Sequence, residues 1–419
     1  MRLVFACLLA ALTAGASVAD DAAPTVTVTG GDHDLTNVVV RAPLPDGALP
    51  GIDRVRLTDG SKVGTAVGQI AAARLLATPA GQQEPARELT FIVPRLSAGQ
   101  TKTFFVISKF GENGALKRFN WQDAPGDHAD LLWGSQPTMR YMYKALDESS
   151  KEAREQTFKV YHHLFDRSGE TLITKGPGGL YTHHRGLFFG FNKVTYEGKK
   201  ADVWHCTGDA YQSHEGFGQR AAGELFGRHR VKVAWHGEQK HTFALEEREL
   251  TCFMPLDDGL LVEFASVLRP TTDKVRLDGD PQHSGFHVRV SNEVAEQFQA
   301  KKPQTYFLRP DGKGAVGEER NWDPKTKKGP VNLPWDAMCF ELGGKRYTLV
   351  YLDRPENPKE SRGSERVYGR VGNYFEYDLT ADKPLRLNYR VWLQEGEMTG
   401  EQCEALHRSF TEPVKVAVK

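Results

Sequence analysis

The stretch Phe286-His287-Val288-Arg289-Val290 decides the fold, because its apolar and polar side chains alternate at every position. Side chains of an extended chain point to opposite faces at each step, so Phe286, Val288 and Val290 share one face. His287 and Arg289 share the other. A strand of this kind buries one face in a core, while its second face is either plainly exposed to solvent or lines a polar groove. The His and Arg side chains on this face favour a groove.

Short β-rich runs separated by Gly, Pro and Asp recur along the rest of the chain, and this spacing predicts an all-β protein. Gly343-Gly344 stands between two apolar runs and predicts a tight hairpin. Helical patterns are rare. The predicted elements are strands at 25–28, 36–41, 89–93, 103–108, 193–196, 202–206, 230–236, 242–254, 260–268, 338–342, 347–352 and 385–394, with helices at 149–157 and 400–409.

The N-terminus has the three parts of an export signal. Arg2 precedes a short apolar run, Ser17-Val18-Ala19 supplies the small residues for cleavage, and Asp20-Asp21 begins a polar segment. The apolar run is too short to span a bilayer, which takes about 20 residues. The sequence therefore predicts a cleaved signal peptide at 1–19 and a periplasmic or extracellular protein.

Composition and turn signals divide the remaining chain. We predict a small β-sandwich at 20–110, a Gly- and Asp-rich linker at 111–136 and a large β domain at 137–419. Lysine and arginine together number 54, as do the acidic residues, so the net charge of zero does not indicate a nucleic-acid partner. No later segment is apolar enough to span a membrane, and the oligomeric state stays open.

The cysteines that remain after cleavage leave two alternatives open. In an exported protein they can pair as disulfides, and four cysteines allow three connectivities. Buried free thiols are the other alternative. These residues are Cys206, Cys252, Cys339 and Cys403.

A glycine-rich turn at 176–179 precedes His183-His184-Arg185 and an aromatic run. Adjacent side chains of an extended segment point apart, so His183 and His184 do not serve one site equally. Arg185 can grip a carboxylate or a pair of hydroxyls bidentately. Titratable groups gathered beside a strand end are typical of functional sites.

Other segments repeat this polar and aromatic pattern. They supply the groups that acid–base chemistry on a sugar requires: imidazole donors, carboxylate acceptors and planar groups for hydroxyls. We assign His183, His184, Glu247 and Glu249 as catalytic candidates. The substrate-binding candidates are His163, Arg185, Trp204, His205, His283, His287 and Arg289.

Several other chemistries lack their sequence motifs. The chain has no H-E-x-x-H and no G-x-S-x-G, and no phosphate-binding glycine loop opens a helix. No spacing specifies a metal, so no residue is assigned as a ligand. His163, His183, His205 and His283 can nevertheless converge, and imidazoles suit a divalent metal. No other cofactor is indicated.

Four segments resemble the PmoA-like family of exported bacterial proteins, which are abundant in planctomycetes. They are H-H-R-G-L-F-F-G-F at 183–191, A-D-V-W-H at 201–205, Q-H-S-G-F-H-V-R at 282–289 and L-x-Y-R-V-W-L-Q-E-G at 387–396. The resemblance covers about residues 137–398. The chain departs from the family pattern D-H-P-H-H-R-G, because Leu180-Tyr181-Thr182 precedes His183.

This resemblance implies a large antiparallel β-supersandwich of the galactose-mutarotase type, preceded here by the small Ig-like sandwich. The family is often labelled a methane oxygenase, which does not suit a chain without membrane spans. We therefore expect a carbohydrate-active enzyme in which a histidine of the 183–184 pair is the acid or binds the ring oxygen of the sugar, and a Glu of 246–249 is the base. A non-catalytic glycan-binding or cell-surface protein and a metal-dependent lyase or oxygenase are the alternatives.

Overall fold

The computed structural model describes residues 24–60, 65–79, 81–108, 117–254 and 259–419. The predicted signal peptide at 1–19 lies outside these ranges. Within them, no helix combines the length and the apolar composition that a membrane crossing requires.

Strands dominate the first half of the described chain, as the alternating sequence predicts. The elements are β1 (Thr25–Thr29), β2 (Leu35–Pro43), β3 (Arg54–Thr58), β4 (Thr65–Ala72), β5 (Arg87–Leu96), β6 (Thr101–Ile107), β7 (Phe119–Ala124), β8 (His128–Trp133), β9 (Gln136–Met142), α1 (Lys151–Thr157), β10 (Tyr161–Leu164), β11 (Leu187–Phe191), β12 (Lys193–Tyr196), β13 (Lys199–Ala201) and β14 (Tyr211–Ala222).

The second half continues in the same way, with a short 3₁₀ turn at Glu238–Lys240. The elements are β15 (Phe226–His236), β16 (Thr242–Phe253), β17 (Gly259–Pro270), β18 (Lys274–Asp278), β19 (Ser284–Arg289), α2 (Asn292–Gln299), β20 (Tyr306–Arg309), β21 (Gly312–Lys313), β22 (Trp335–Leu342), β23 (Lys345–Asp353), β24 (Arg362–Arg366), β25 (Arg370–Tyr374), β26 (Tyr377–Thr380), β27 (Leu385–Glu395), α3 (Gly400–Thr411) and β28 (Lys415–Val418).

The N-terminal module is one curved antiparallel sheet with the order β2-β5-β4-β3-β6-β1-β28. Alternation in β1 buries Val26 and Val28 and leaves the threonines between them at the surface. The sheet curls so that its edge strands β2 and β28 touch around one apolar core. The last strand of the chain therefore completes the first module, which the predicted boundary at residue 110 did not anticipate.

Two larger antiparallel sheets form the main sandwich. The eight-stranded sheet has the order β24-β25-β19-β11-β10-β9-β8-β7, and the nine-stranded sheet has the order β14-β15-β16-β17-β27-β23-β22-β20-β21. Their inner faces share one core, in which the rings of Phe264 and Phe286 stack 4.2 Å apart. A smaller sheet, β13-β12-β18-β26, is also present. The predicted fold class, an all-β antiparallel sandwich behind a smaller β module, is confirmed.

The predicted linker at 111–136 needs correction. Its part from residue 119 onward forms the hairpin β7–β8 at the edge of the eight-stranded sheet. Phe119 and Leu131 are buried in the main core, and this burial holds the hairpin in place. Gly126, with a φ of 80°, provides the turn that the sequence analysis attributed to a connector.

The outer faces of the two large sheets are covered by different parts of the chain. The N-terminal module and α3 pack on the outer face of the nine-stranded sheet, where Val39 joins a cluster with Phe253 and Trp392. The outer face of the eight-stranded sheet carries Phe188, His287 and Arg289. Phe286 and Val288 point into the core, as the alternation predicts. The polar outer face of β19 is therefore available for a site.

The cysteines resolve the alternative that the sequence left open. Cys206, Cys252, Cys339 and Cys403 are buried free thiols. Burial raises the pKa of the Cys252 thiol, which keeps it protonated and unreactive.

Candidate metal centre and its surroundings

Three loops cover the outer face of β11 and β19 and carry the site. The first is the glycine-rich loop at 175–186, the second is the turn at 202–210, and the third is the segment at 279–283 that leads into β19. Residues 203–206 form a turn, so the predicted strand at 202–206 is wrong. The Asp202 carboxylate causes this turn, because it accepts hydrogen bonds from the backbone N–H groups of Trp204 and His205 at 3.0 and 2.8 Å.

One histidine from each loop meets the other two. His183, His205 and His283 each offer one ring nitrogen, and these three atoms lie within 4.8 Å of one another. The ring centroids of His183 and His205 are 4.4 Å apart, and those of His205 and His283 are 4.7 Å apart. The side chains of His205 and His283 are each 28% exposed, so solvent reaches the cluster. We call these residues the histidine triad.

Two members of the triad are held by carboxylates. His205 Nδ1 lies 2.8 Å from Asp202 Oδ2, and His283 Nδ1 lies 3.0 Å from Asp280 Oδ1. A carboxylate at Nδ1 places the ring proton there and leaves the lone pair on Nε2. Asn192 Nδ2 in turn donates to Asp280 Oδ2 at 2.9 Å.

The third histidine is kept neutral by its surroundings. Burial first, and then the positive charges of Lys159 and the neighbouring imidazoles, lower the pKa of His183 to about 2. Its Nε2 is buried and makes no hydrogen bond within the described part of the chain. Burial raises the pKa of Asp280, but hydrogen bonds from His283 and Asn192 outweigh it and hold this pKa well below its usual value. The site therefore combines a neutral imidazole at His183 with an ionised carboxylate at Asp280.

Lys159 ties two of the three loops together. Its ammonium is buried and donates to the carbonyl of His183 at 3.1 Å and to the carbonyl of Trp204. The second loop also needs Gly190 in the strand beneath it, because a Cβ there would meet the carbonyl oxygen of Val203 at 2.8 Å. These contacts fix the spacing between His183 and His205.

His184 lies beside the triad with neither ring nitrogen bonded to any described group. Its ring centroid is 4.3 Å from that of His183 and 6.2 Å from that of Tyr368, on which it stacks. Burial and the charge of Arg370 hold the pKa of His184 well below its usual value. This imidazole is neutral and can accept or donate one hydrogen bond to a ligand.

The structure brings together most of the predicted site residues. His183, His184, Trp204, His205, His283 and His287 form one cluster of ring contacts. Trp204, expected to form a platform for a sugar, is completely buried against Phe188.

Some predicted binding residues instead have structural contacts. His287 donates from Nε2 to the carbonyl of Ser284 at 2.8 Å, and its Nδ1 accepts from Arg370 at 2.8 Å. Arg185 donates hydrogen bonds from Nε to the carbonyl of Thr182 and from Nη2 to the carbonyl of Glu155. Both side chains hold backbone in place, and the predicted contacts with substrate hydroxyls need correction.

His163 does not join the triad. It lies on β10 with Nδ1 3.0 Å from Thr174 Oγ1, and its ring packs against Tyr161. Burial lowers the pKa of His163 to about 4.

The two predicted catalytic glutamates are on the opposite side of the molecule. Glu247 and Glu249 lie on β16 and face away from the main core, toward the outer face of the nine-stranded sheet. Glu249 accepts from Arg230 at 3.0 Å and from the backbone of Leu75 at 3.1 Å, which joins it to the N-terminal module. Glu247 is an exposed partner of Arg269. The prediction that either glutamate acts with His183 or His184 is therefore wrong.

The acidic partners of the triad were not predicted from the sequence. Asp202 and Asp280 each stand three residues before their histidine, so the chain contains D-x-x-H at 202–205 and again at 280–283. This repeated spacing was the available signal. A cleft of about 730 Å³ reaches Asp202, the partner of His205. Asn192 and Asp278 are among its other lining residues.

Comparison with known proteins gives a family and only distant structural likeness. No curated protein matches the chain. An α-mannosidase from Enterococcus faecalis V583 aligns with 96% of this chain at 9% identity, with a TM-score of 0.35. The alignment spans 46% of the mannosidase, so this chain corresponds to about half of that protein. A GalM/aldose epimerase homologue from C. elegans aligns with 67% of this chain and 99% of its own at 8% identity, with a TM-score of 0.28.

The family assignment rests on a sequence model. It matches residues 128–408, which include the whole histidine triad and both of its carboxylates. Because the match covers more than half of the chain, the protein belongs to the family described as "Family of unknown function (DUF6807)".

Proposed function

We propose that this chain is an exported enzyme acting on a carbohydrate or sugar derivative with a divalent metal ion held by His183, His205 and His283. The proposal rests on the convergence of three imidazole nitrogens. Two of these rings, His205 and His283, contact the carboxylates of Asp202 and Asp280 through Nδ1. Carboxylate–histidine pairs of this kind orient the ligands of metal sites and raise their basicity.

Imidazoles that face one another gain little from their own contact. None of the three can neutralise a neighbour, and protonation of two would place like charges within 4.8 Å. A divalent cation uses all three lone pairs. Zinc–nitrogen bonds are about 2.1 Å long, so the nitrogens move slightly inward on binding.

A three-histidine set leaves at least one coordination position for substrate or water, as catalytic sites require. A bound metal would polarise a substrate oxygen as a Lewis acid. The ring of His184 contacts that of His183, and neither of its nitrogens has a hydrogen-bond partner among the described residues, so we assign His184 the acid–base role. The reaction is a hydrolysis, an elimination or an epimerisation.

The sugar assignment draws on the family resemblance of the sequence and on one exposed aromatic ring. Tyr181 is 45% exposed, and its ring centroid lies 6.2 Å from that of His183 and 4.9 Å from that of Tyr368. A tyrosine at the mouth of a site offers an apolar face for a sugar ring and a hydroxyl for hydrogen bonding. We assign Tyr181 the role that the sequence analysis gave to Trp204.

The test is metal content and turnover measured on the same protein. We expect one divalent transition metal per chain by elemental analysis, and turnover on a panel of oligosaccharides and sugar derivatives that a chelator abolishes. His205→Ala should lose both, while His241→Ala, at an exposed position, should keep both. Glycan binding without formation of a product would contradict the proposed enzymatic activity. Failure of the protein to retain zinc, manganese or iron would contradict the proposed metal site.

A further inference from the structure

Arg289 is a buried cation with an unused binding edge. Its Nη1 donates to the carbonyls of Val290 and Gly369 at 3.0 and 3.2 Å and to the carbonyl of Tyr368. Its Nε and Nη2 are buried and find no hydrogen-bond partner among the described residues. A buried donor without an acceptor costs free energy, more so when it is charged.

The unused edge is the one that binds carboxylates elsewhere in this chain. Arg140 uses Nε and Nη2 on Asp130 at 2.6 and 2.9 Å, and Arg248 uses the same pair on Glu246 at 2.8 Å each. Arg309 binds Glu365 in the same way at 2.6 Å each. Parallel N–H groups on one edge match the two oxygens of a carboxylate. Arg289 has the edge without the carboxylate.

The surroundings of Arg289 contain further buried positive charges, which favour the binding of an anion. Among the described residues, no carboxylate forms a hydrogen bond or an ion pair with Arg289, and its guanidinium lies over the ring of Tyr368. Arg370 is fully buried, and its Nε also lacks a partner in the described structure. Lys175, only 3% exposed, adds another nearby positive charge, and its ammonium contacts only backbone carbonyls.

Arg289 is connected to the histidine triad through the rings of Tyr368 and His184. The Arg289 guanidinium carbon lies 4.9 Å from the centre of the Tyr368 ring. Tyr368 stacks on His184, and His184 contacts His183. The rings of Tyr368 and His184 therefore stand between Arg289 and the triad.

We infer that Arg289 binds a carboxylate of the substrate, so that the enzyme acts on an acidic sugar such as a uronic acid. This inference rests on the proposed function and deepens it by naming the substrate class. The Nε–Nη2 edge binds the carboxylate, Lys175 and Arg370 add attraction, and the sugar ring extends past His184 toward the triad.

The test compares ligands of matched shape on the metal-loaded wild-type protein by calorimetry. D-glucuronate and D-galacturonate should bind about tenfold or more tightly than glucose, galactose and methyl glucuronate, because the neutral ligands forgo a charge-assisted bidentate contact. Arg289→Lys should remove this preference, and Arg269→Lys, at an exposed ion pair, should keep it. The methyl ester comparison needs no variant, so it decides the question even if Arg289→Lys fails to fold.

Two results would overturn the inference while leaving the metal-dependent enzyme intact. One is equal affinity for glucuronate and its methyl ester. The other is an Arg289-dependent preference for galactose 6-sulfate or glucose 6-phosphate over glucuronate, which would assign the edge to a tetrahedral oxyanion. Loss of metal from the wild-type protein is measured separately and bears on the proposed function alone.

Discussion

His283 Nδ1 lies 3.0 Å from the carboxylate of Asp280, and this contact aims the opposite ring nitrogen at His183 and His205. Asp280 is itself anchored by Asn192. The proposed metal site therefore has two layers, with the imidazoles inside and the acidic groups of Asp202 and Asp280 behind them.

Asp280→Asn should weaken metal binding without abolishing it. The amide oxygen can still accept from Nδ1, but the negative charge that raises the basicity of the imidazole is lost. We expect zinc affinity, measured against a competing chelator, to fall by about 10- to 100-fold. Asp273→Asn, at an exposed position in the turn between β17 and β18, should bind zinc like wild type. Equal affinities for the two variants would show that Asp280 does not support a metal ligand.

Lys159→Met should loosen the first and second loops together. The variant keeps the length of the side chain but leaves the carbonyls of His183 and Trp204 without their donor. We expect a loss of about 1–3 kcal/mol in the free energy of unfolding, because buried acceptors become unsatisfied. Zinc affinity should fall as well, since the spacing of His183 and His205 depends on this contact. Normal zinc affinity in a destabilised variant would show that Lys159 stabilises the fold but does not position the metal ligands.

The sequence was sufficient to predict which side chains of a strand face the core, because the polarity of each residue indicates whether its side chain points inward or outward. Phe286 and Val288 point into the core and Arg289 points outward, as expected. The Gly343-Gly344 turn was predicted for a similar local reason, and both residues have positive φ. Such information lies within a few neighbouring residues.

Which faces meet in space could not be predicted. Glu249 has the alternation of a half-buried strand, but nothing in its neighbourhood tells which sheet its strand joins or what covers that face. His205 and His283 lie on two loops that are far apart in the sequence. Asp202 and Asp280 orient them within their own loops, and Asn192, just after β11, anchors the loop of His283. The repeated D-x-x-H spacing was the one local sign of this arrangement.

Removal of residues 413–419 should destabilise the N-terminal module. β28 pairs with β1 from Val26–Val418 to Thr29–Lys415, and its valines pack on the core of the module. Loss of this cover should cost about 1–3 kcal/mol, the scale of burying an aliphatic side chain. We expect calorimetry to show an earlier transition and proteolysis to reach the module sooner. Zinc affinity serves as the control, and an unchanged transition would mean that β28 does not stabilise the sheet.

The main core contains a second pair of histidines that the site does not use. His162 Nε2 and His229 Nε2 lie 2.9 Å apart, so one ring donates its proton to the other and both are neutral. Burial first, and then neighbouring positive groups, hold the pKa of each well below its usual value. Both side chains are fully buried.

This pair should make the protein sensitive to mild acid. Below about pH 6.5 the unfolded chain takes up protons at both histidines while the folded chain does not, so the stabilisation present above that pH is lost as the pH falls. Each histidine contributes a slope of about 1.4 kcal/mol per pH unit to the free energy of unfolding. We therefore expect His162→Phe/His229→Phe to flatten the decline that urea titrations measure between pH 7 and 5, while His163 and the other groups continue to titrate. Equal declines in the two proteins, or imidazole resonances of His162 and His229 that titrate near pH 6.5 in folded wild type, would contradict a neutral pair.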